Sequence, residues 1–157
     1  MTTATVQRTI LAPVEDVFDC VAHIENFQKA MPHIVEVKFL SEAKRGIGAK
    51  FRETRLLGTK EETTELEVIE YVKNKRVRLL SDQGGAIWDT VFTVGSKGTG
   101  GWTELTMVMQ AKPYKFFAKM TTGLVMGMIQ KHLEADMDAV KAYCEAAVKA
   151  DVSIEDV

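Results

Sequence analysis

At 157 residues the chain is most simply one domain, 1–157, long enough to bury a core of useful size. Its 46% hydrophobic and 27% charged residues are ordinary for a globular protein, and a formal net charge of −2 leaves no electrostatic footprint for nucleic acid. No apolar run reaches the roughly 18 residues of a membrane span, and Met1-Thr-Thr-Ala lacks the basic-then-apolar pattern of a signal peptide, so the cytoplasm is the expected location.

Thr3 to Ala12, with Val6 and Ile10, suits a first strand. Pro13 then opens a helix whose first turn carries Glu15 and Asp16, suited to the positive end of the helix dipole. Val14, Val17, Phe18 and Val21 give that helix one apolar face. A second short helix, Ile24 to Met31, stops at Pro32.

The next stretch alternates in the manner of strands. His33 to Glu42 is one, and Ala49 to Leu57 follows the Gly46-Ile-Gly48 turn. Gly58-Thr59 fits a two-residue hairpin turn of type II′. That turn sets the register: Leu57 faces Lys60, Arg52 faces Glu65, Lys50 faces Glu67 and Thr54 faces Thr63. On the other face Phe51 meets Leu66 and Ala49 meets Val68, so charges pair on one side and apolar groups on the other. Glu53, Arg55, Glu62 and Thr64 fall on the apolar face. Strands at Arg76 to Asp82, Ala86 to Val94 and Trp102 to Ala111 follow, joined by Gln83-Gly84-Gly85 and a hairpin loop from Gly95 to Gly101. About seven strands result, six of them consecutive through short turns, which implies an antiparallel meander.

Pro113 to Ala147 is the one stretch long enough for a dominant helix. From Met126 onward it shows a clear stripe of Met126, Ile129, Leu133, Met137, Val140, Cys144 and Ala147, opposite Lys131, Glu134, Asp138, Lys141 and Glu145. Phe116, Phe117, Met120 and Leu124 fall on the opposite side at about 100° per residue. Either the chain bends near Gly123 or Gly127, or the early helices bury this part on both sides, or it is an apolar flap or a contact for a membrane or partner. The wrong-side residues leave both a monomer and a homodimer open. The eight methionines include four on this helix, and Met adapts to varied partners. Cys20 and Cys144 lack motif spacing and read as buried free thiols.

The order of strand, two short helices, six strands and a long final helix resembles the helix-grip fold of the START-like (SRPBCC) superfamily. In detail it is similar to the branch labelled polyketide cyclase/dehydrase and lipid transport. The residues that carry the likeness are Ile10-Leu-Ala-Pro13-Val-Glu-Asp-Val17-Phe18, Glu25-Asn26-Phe27 to Met31-Pro32, Val35-Glu-Val37, Gly46-Ile-Gly48-Ala-Lys-Phe51 and Thr103-Glu104-Leu105-Thr106. The resemblance implies an α+β domain, a curved antiparallel sheet around the C-terminal helix with an elongated apolar cavity between them. It implies binding of lipids, quinones, polyketides or other hydrophobic molecules, with some members acting as cyclases or dehydratases. It supplies no catalytic set, since fold does not determine function.

On this reading Trp88, Phe92, Met107, Met109, Met126, Ile129, Leu133 and Phe51 line a ligand site, with Glu53 and Arg55 as polar anchors. Phe27, Met31, Phe117 and Met120 stand near the mouth. Against this, Arg55 could pair with Glu62 at a solvated strand end, and Trp88, Phe92, Met107 and Met109 could be plain core. His23, His33 and His132 lack zinc spacing, and His132 reads as a hydrogen-bonded boundary residue. Asp89 faces away from Trp88 and Phe92. No nucleotide, hydrolase or metal motif occurs, so neither metal nor cofactor is expected. The expectation leans toward a carrier of a small hydrophobic ligand rather than an enzyme. A polyketide cyclase or dehydratase and a non-enzymatic assembly module are the alternatives.

Overall fold

A computed structural model describes residues 2–155, with side chains described through Asp151. The elements run β1 (Thr2–Leu11), α1 (Val14–Ala22), α2 (Ile24–Ala30), β2 (Ile34–Phe39), β3 (Lys50–Leu57), β4 (Lys60–Val72), β5 (Arg76–Gln83), β6 (Ala86–Ser96), β7 (Trp102–Pro113) and α3 (Phe116–Glu155). One sheet orders them β1-β7-β6-β5-β4-β3-β2. Every neighbouring pair is antiparallel. This is the expected helix-grip architecture: a meander from β2 to β7, with β1 returning beside β7.

The β3–β4 register is the one that the Gly58-Thr59 turn dictates, with Phe51 opposite Leu66 and Leu57 opposite Lys60. Gly58 sits at φ +66°, whereas Thr59 stays at negative φ, as a II′ turn requires. Arg52 donates to Glu65 at 2.7 Å, and the Thr54 and Thr63 hydroxyls lie 3.2 Å apart. The register shifts between Ile34 and Glu36 and between Val68 and Glu70. Such irregularities add bend and twist to a sheet that must wrap a helix.

Pro13 stands at the N-cap of α1, one step before the helical turn, and its carbonyl accepts from the N–H of Asp16 and Val17. Phe18, Ile10, Met31, Leu105, Val17 and Val140 are completely buried. Cys20 and Cys144 are buried free thiols that meet between α1 and α3. The hydrogen bond that Cys20 donates to Cys144, with burial behind it, raises the Cys20 thiol well above its ordinary range.

β7 runs through Pro113, so α3 begins at Phe116 rather than at Pro113. Its second half buries Leu133, Met137, Val140 and Cys144. Ala147 is exposed, and Val148 takes its place in the stripe. This half is pinned along edge strand β1: Arg8 to Asp138 at 2.6 Å, Leu11 N–H to Glu145 at 2.9 Å, and Lys141 to the Thr9 carbonyl at 2.5 Å. A charged helix face thus covers one sheet edge that would otherwise offer free backbone groups.

The first half of α3 has a different arrangement from the bend or double burial that its pattern suggested. The helix is unbroken from Phe116 to Glu155, and Phe116, Phe117, Met120, Leu124 and Met128 are all between 67% and 79% exposed. Gly123 and Gly127 lie on that outer face, and a Cβ added to either would meet nothing within 4 Å. The inner face carries the small residues Ala118 and Thr122, both buried. Bulk outside and small side chains inside leave space between this half of the helix and the sheet.

The start of α3 is fixed by the β5–β6 turn. The N–H groups of Tyr114 and Lys115 both donate to the Gly85 carbonyl, at 3.0 and 3.1 Å. Gly85 itself has φ +81°, and a Cβ there would lie 2.9 Å from Lys115 Cβ. Only glycine suits both the left-handed backbone and the close approach of the chain.

Candidate functional site

The space under α3 is a cavity of about 480 Å³. That volume lies within the range of small-molecule sites, roughly 300–1,000 Å³. The sheet supplies Phe51, Leu66, Leu79, Trp88, Phe92, Met107 and Met109. α1 and α2 supply Val21, Ala22, Ile24 and Phe27, and α3 supplies Ala118, Thr121, Thr122, Val125, Ile129 and Leu133. The sheet contribution follows from strand alternation: inward residues on neighbouring strands share one face.

One end of the cavity is polar. Arg55 Nε donates to Glu53 Oε1 at 2.9 Å, and Arg55 Nη1 donates to Asp136 Oδ2 at 2.8 Å. His33 Nε2 lies 3.2 Å from Arg55 Nη1 and 3.3 Å from Asp136 Oδ1. Glu53 and Asp136 are both buried, and a buried carboxylate must be paired. Burial works against the Arg55 charge, but Glu53 and Asp136 outweigh it and raise the guanidinium above its ordinary value. Glu62, Thr64, Ser81 and Gln83 extend this polar end. Thr64 donates to Gln83 at 3.1 Å, whereas Ser81 Oγ is buried with no hydrogen-bond partner among the described residues. The lining holds three carboxylates (Glu53, Glu62, Asp136) against one guanidinium (Arg55), so acidic groups outnumber the fixed cation. Such a site can orient a polar head by hydrogen bonding while the apolar walls enclose a hydrophobic body.

Of the residues expected to line a ligand site, Phe51, Glu53, Arg55, Trp88, Phe92, Met107, Met109, Ile129 and Leu133 border the cavity. Met126 does not: it is buried in the core cluster, outside the cavity wall. Of the mouth residues, only Phe27 borders the space, and it is buried against Phe92. Met31 is fully buried in the core beside α2. Phe117 and Met120 point outward on α3, since a helix that turns Ala118 and Thr122 inward must turn them away. Arg55 pairs with Glu53 and Asp136 rather than Glu62, which is exposed at the strand end and lies 3.5 Å from Lys60. His132 borders the cavity but is exposed and makes no hydrogen bond among the described residues. Tyr71 is away from the cavity, packed on Phe18 and His23.

Asp89 faces outward as expected. It is held well below the usual carboxylate range by Arg78, with Lys112 adding to this against burial. Asp136, His33 and Ser81 join the site without having been expected there. Asp136 was detectable, since Ile129, Leu133 and Asp136 recur at the four- and three-residue spacing of one helix face. Among the described residues no group of three or more His, Cys, Asp or Glu could hold a metal ion. No described helix is long and apolar enough to cross a membrane.

The family model described as "Polyketide cyclase / dehydrase and lipid transport" matches residues 1–145. Several solved structures share the fold. TTHA0849 from Thermus thermophilus superposes with a TM-score of 0.73 at 17% identity, covering 93% of this chain and 99% of that one. The di-domain ARO/CYC BexL from the BE-7585A biosynthetic pathway gives 0.74 at 12% identity, covering 90% of this chain and 46% of that one. Norcoclaurine synthase from Thalictrum flavum, in complex with dopamine and hydroxybenzaldehyde, gives 0.68 at 13% identity over 90% of this chain and 85% of that one. At these identities the likeness is one of fold. No curated protein matches the chain in sequence.

Proposed function

The chain belongs to the polyketide cyclase/dehydrase and lipid transport family, and from that premise we propose that it binds and carries a small hydrophobic ligand. The observation that carries this reading is the cavity of about 480 Å³ with apolar walls and a single polar end. Each methylene taken from water into such a space contributes about 0.8 kcal/mol. The polar end gives the ligand a direction. Its excess of carboxylates, and the unpartnered Ser81 hydroxyl, suit a head group that donates hydrogen bonds: a hydroxyl, phenol or amine. A carboxylate head would meet Glu53, Glu62 and Asp136 with Arg55 already engaged. The carrier acts in the cytoplasm on this reading.

Native mass spectrometry of the protein purified from its own source tests the carrier. A co-purified hydrophobic compound, released on denaturation, supports it. Protein that arrives empty and takes up no hydroxylated or amine-bearing apolar compound overturns it.

A second reading, a cyclase or dehydratase, draws on Glu53, Arg55, His33 and Asp136 lying within hydrogen-bonding distance of one another beside the apolar space. Acid–base chemistry requires such groups within reach of substrate. Conversion of a polyketide-like substrate, abolished in Asp136→Asn and Glu53→Gln, would favour it over the carrier.

A further inference from the structure

The outer face of the first half of α3 has no part in the cavity. We propose that it is a docking surface for an anionic lipid bilayer. Phe116, Phe117, Met120, Leu124 and Met128 form one exposed apolar arc, and Gly123 and Gly127 fall within it. Exposed apolar residues scattered singly need no explanation, but five large ones on one helical face do.

Charge identifies the occupant. From Leu105 to Leu133 the sequence contains Lys112, Lys115, Lys119 and Lys131 and no Asp or Glu. Lys112 is engaged by Asp89, while Lys115, Lys119 and Lys131 are exposed and have no carboxylate partner among the described residues. On a helical projection Lys119 borders the apolar arc, and Lys131 shares its face, next along the helix axis after Met128. Asp82, the carboxylate at the base of this face, accepts the Tyr114 hydroxyl at 2.8 Å. An apolar face with a cationic rim is the pattern of a helix that lies in a membrane interface, each lysine near an anionic surface adding to the attraction.

The same charges disfavour a second copy of the chain. An antiparallel pair centred between Gly123 and Gly127 would bring Lys119 of one copy to Lys131 of the other. A parallel pair would bring each lysine to itself. Glu134, the first carboxylate beyond the arc, already accepts from Gln130 at 3.2 Å, and like charges across an interface are repulsive. An anionic bilayer satisfies the lysines and the apolar arc together. It also sets the inner face of the same turns, Thr121, Thr122, Val125 and Ile129, with the cavity directly behind the membrane surface.

The test is vesicle flotation of the intact protein, with phosphatidylcholine alone and with phosphatidylcholine mixed with phosphatidylglycerol. The protein floats with the mixed vesicles, and added salt weakens the association. Lys115→Glu combined with Lys119→Glu lowers binding roughly tenfold or more. Phe117→Ser combined with Met120→Ser abolishes it, with the circular dichroism and melting temperature of wild type, because all four positions are exposed. Lys73→Glu combined with Lys75→Glu, the same charge change on the β4–β5 turn, leaves binding unaltered.

Failure to float with anionic vesicles overturns the proposal, as does flotation indifferent to the Lys and Phe–Met substitutions. A dimer in analytical ultracentrifugation that Phe117→Ser with Met120→Ser dissociates overturns it in favour of self-association. Specific retention of an acidic protein, without vesicle binding, overturns it in favour of a protein partner. Flotation needs no cavity ligand, so its result is independent of the carrier reading.

Discussion

Arg55 Nη1 donates to Asp136 Oδ2 at 2.8 Å, and this contact joins β3 to α3 across the polar end of the cavity. The same guanidinium holds Glu53, so one cation satisfies two buried carboxylates. Removing it leaves both uncompensated. Arg55→Met is expected to destabilise by about 3–5 kcal/mol, the usual cost of breaking a buried pair from one side. Asp136→Asn, which keeps a hydrogen-bond acceptor for Arg55, should cost clearly less. Urea denaturation of the two variants measures the difference, and equal losses would mean that the charge pairing does not hold this end together.

Val125 lines the cavity from α3. Val125→Phe projects a ring into the space that a ligand would occupy. Uptake of the native ligand, or of a hydroxylated apolar probe, should fall at least tenfold, while stability changes by no more than about 1–3 kcal/mol, the range for overpacking. Calorimetric titration beside thermal melting separates the two effects. Unchanged affinity in a folded variant would put the ligand elsewhere.

His23 predicts a pH dependence. Its ring is buried and Nδ1 has no hydrogen-bond partner among the described residues. Burial, with the Arg45 charge, lowers its pKa below the ordinary histidine value against the pull of Asp19 and Glu25. The unfolded chain therefore binds the proton more readily than the folded one. Stability should decline as the pH falls through the unfolded value, about 6.5, and level off below the folded one. His23→Gln flattens that slope. Melting temperatures across this window provide the check, and an identical slope in the variant would assign the effect to another group.

Gly85 and Gly84 separate backbone strain from contact. Both have positive φ, but only at Gly85 would a Cβ strike Lys115. Gly84→Ala should cost about 1–2 kcal/mol, the left-handed backbone penalty alone. Gly85→Ala should cost more, and should also loosen the start of α3 by displacing the carbonyl that receives Tyr114 and Lys115. Hydrogen exchange at those two amides would reveal it, and matched behaviour of the two variants would contradict it.

Local rules made most of the fold legible. The Gly58-Thr59 turn type fixed the β3–β4 pairing, and strand alternation then put Glu53 and Arg55 on the cavity face. Arg55's partner was not legible, because Asp136 lies 81 positions away and meets it only when α3 closes over the sheet. Met126 read as pocket wall and Met31 as part of the mouth because the hydrophobic pattern marks burial without separating filled core from empty space. The Phe116–Leu124 stretch looked anomalous for a related reason. Periodicity shows which residues share a helical face, but here the small residues Ala118 and Thr122 face inward while the bulky ones face solvent. That inversion opposes the usual rule, and it is what leaves room for the cavity.

The most direct test of the central claim is a fluorescence titration of the Trp102→Phe variant, in which Trp88 on the cavity wall is the remaining tryptophan. Decanol, decylamine and decanoate have equal chains and differ in the head group. The account predicts a saturable change with the alcohol and the amine, and binding of the carboxylate weaker by roughly tenfold or more because it faces an excess of buried carboxylates. No saturable response to any of the three, or tightest binding of decanoate, would contradict it.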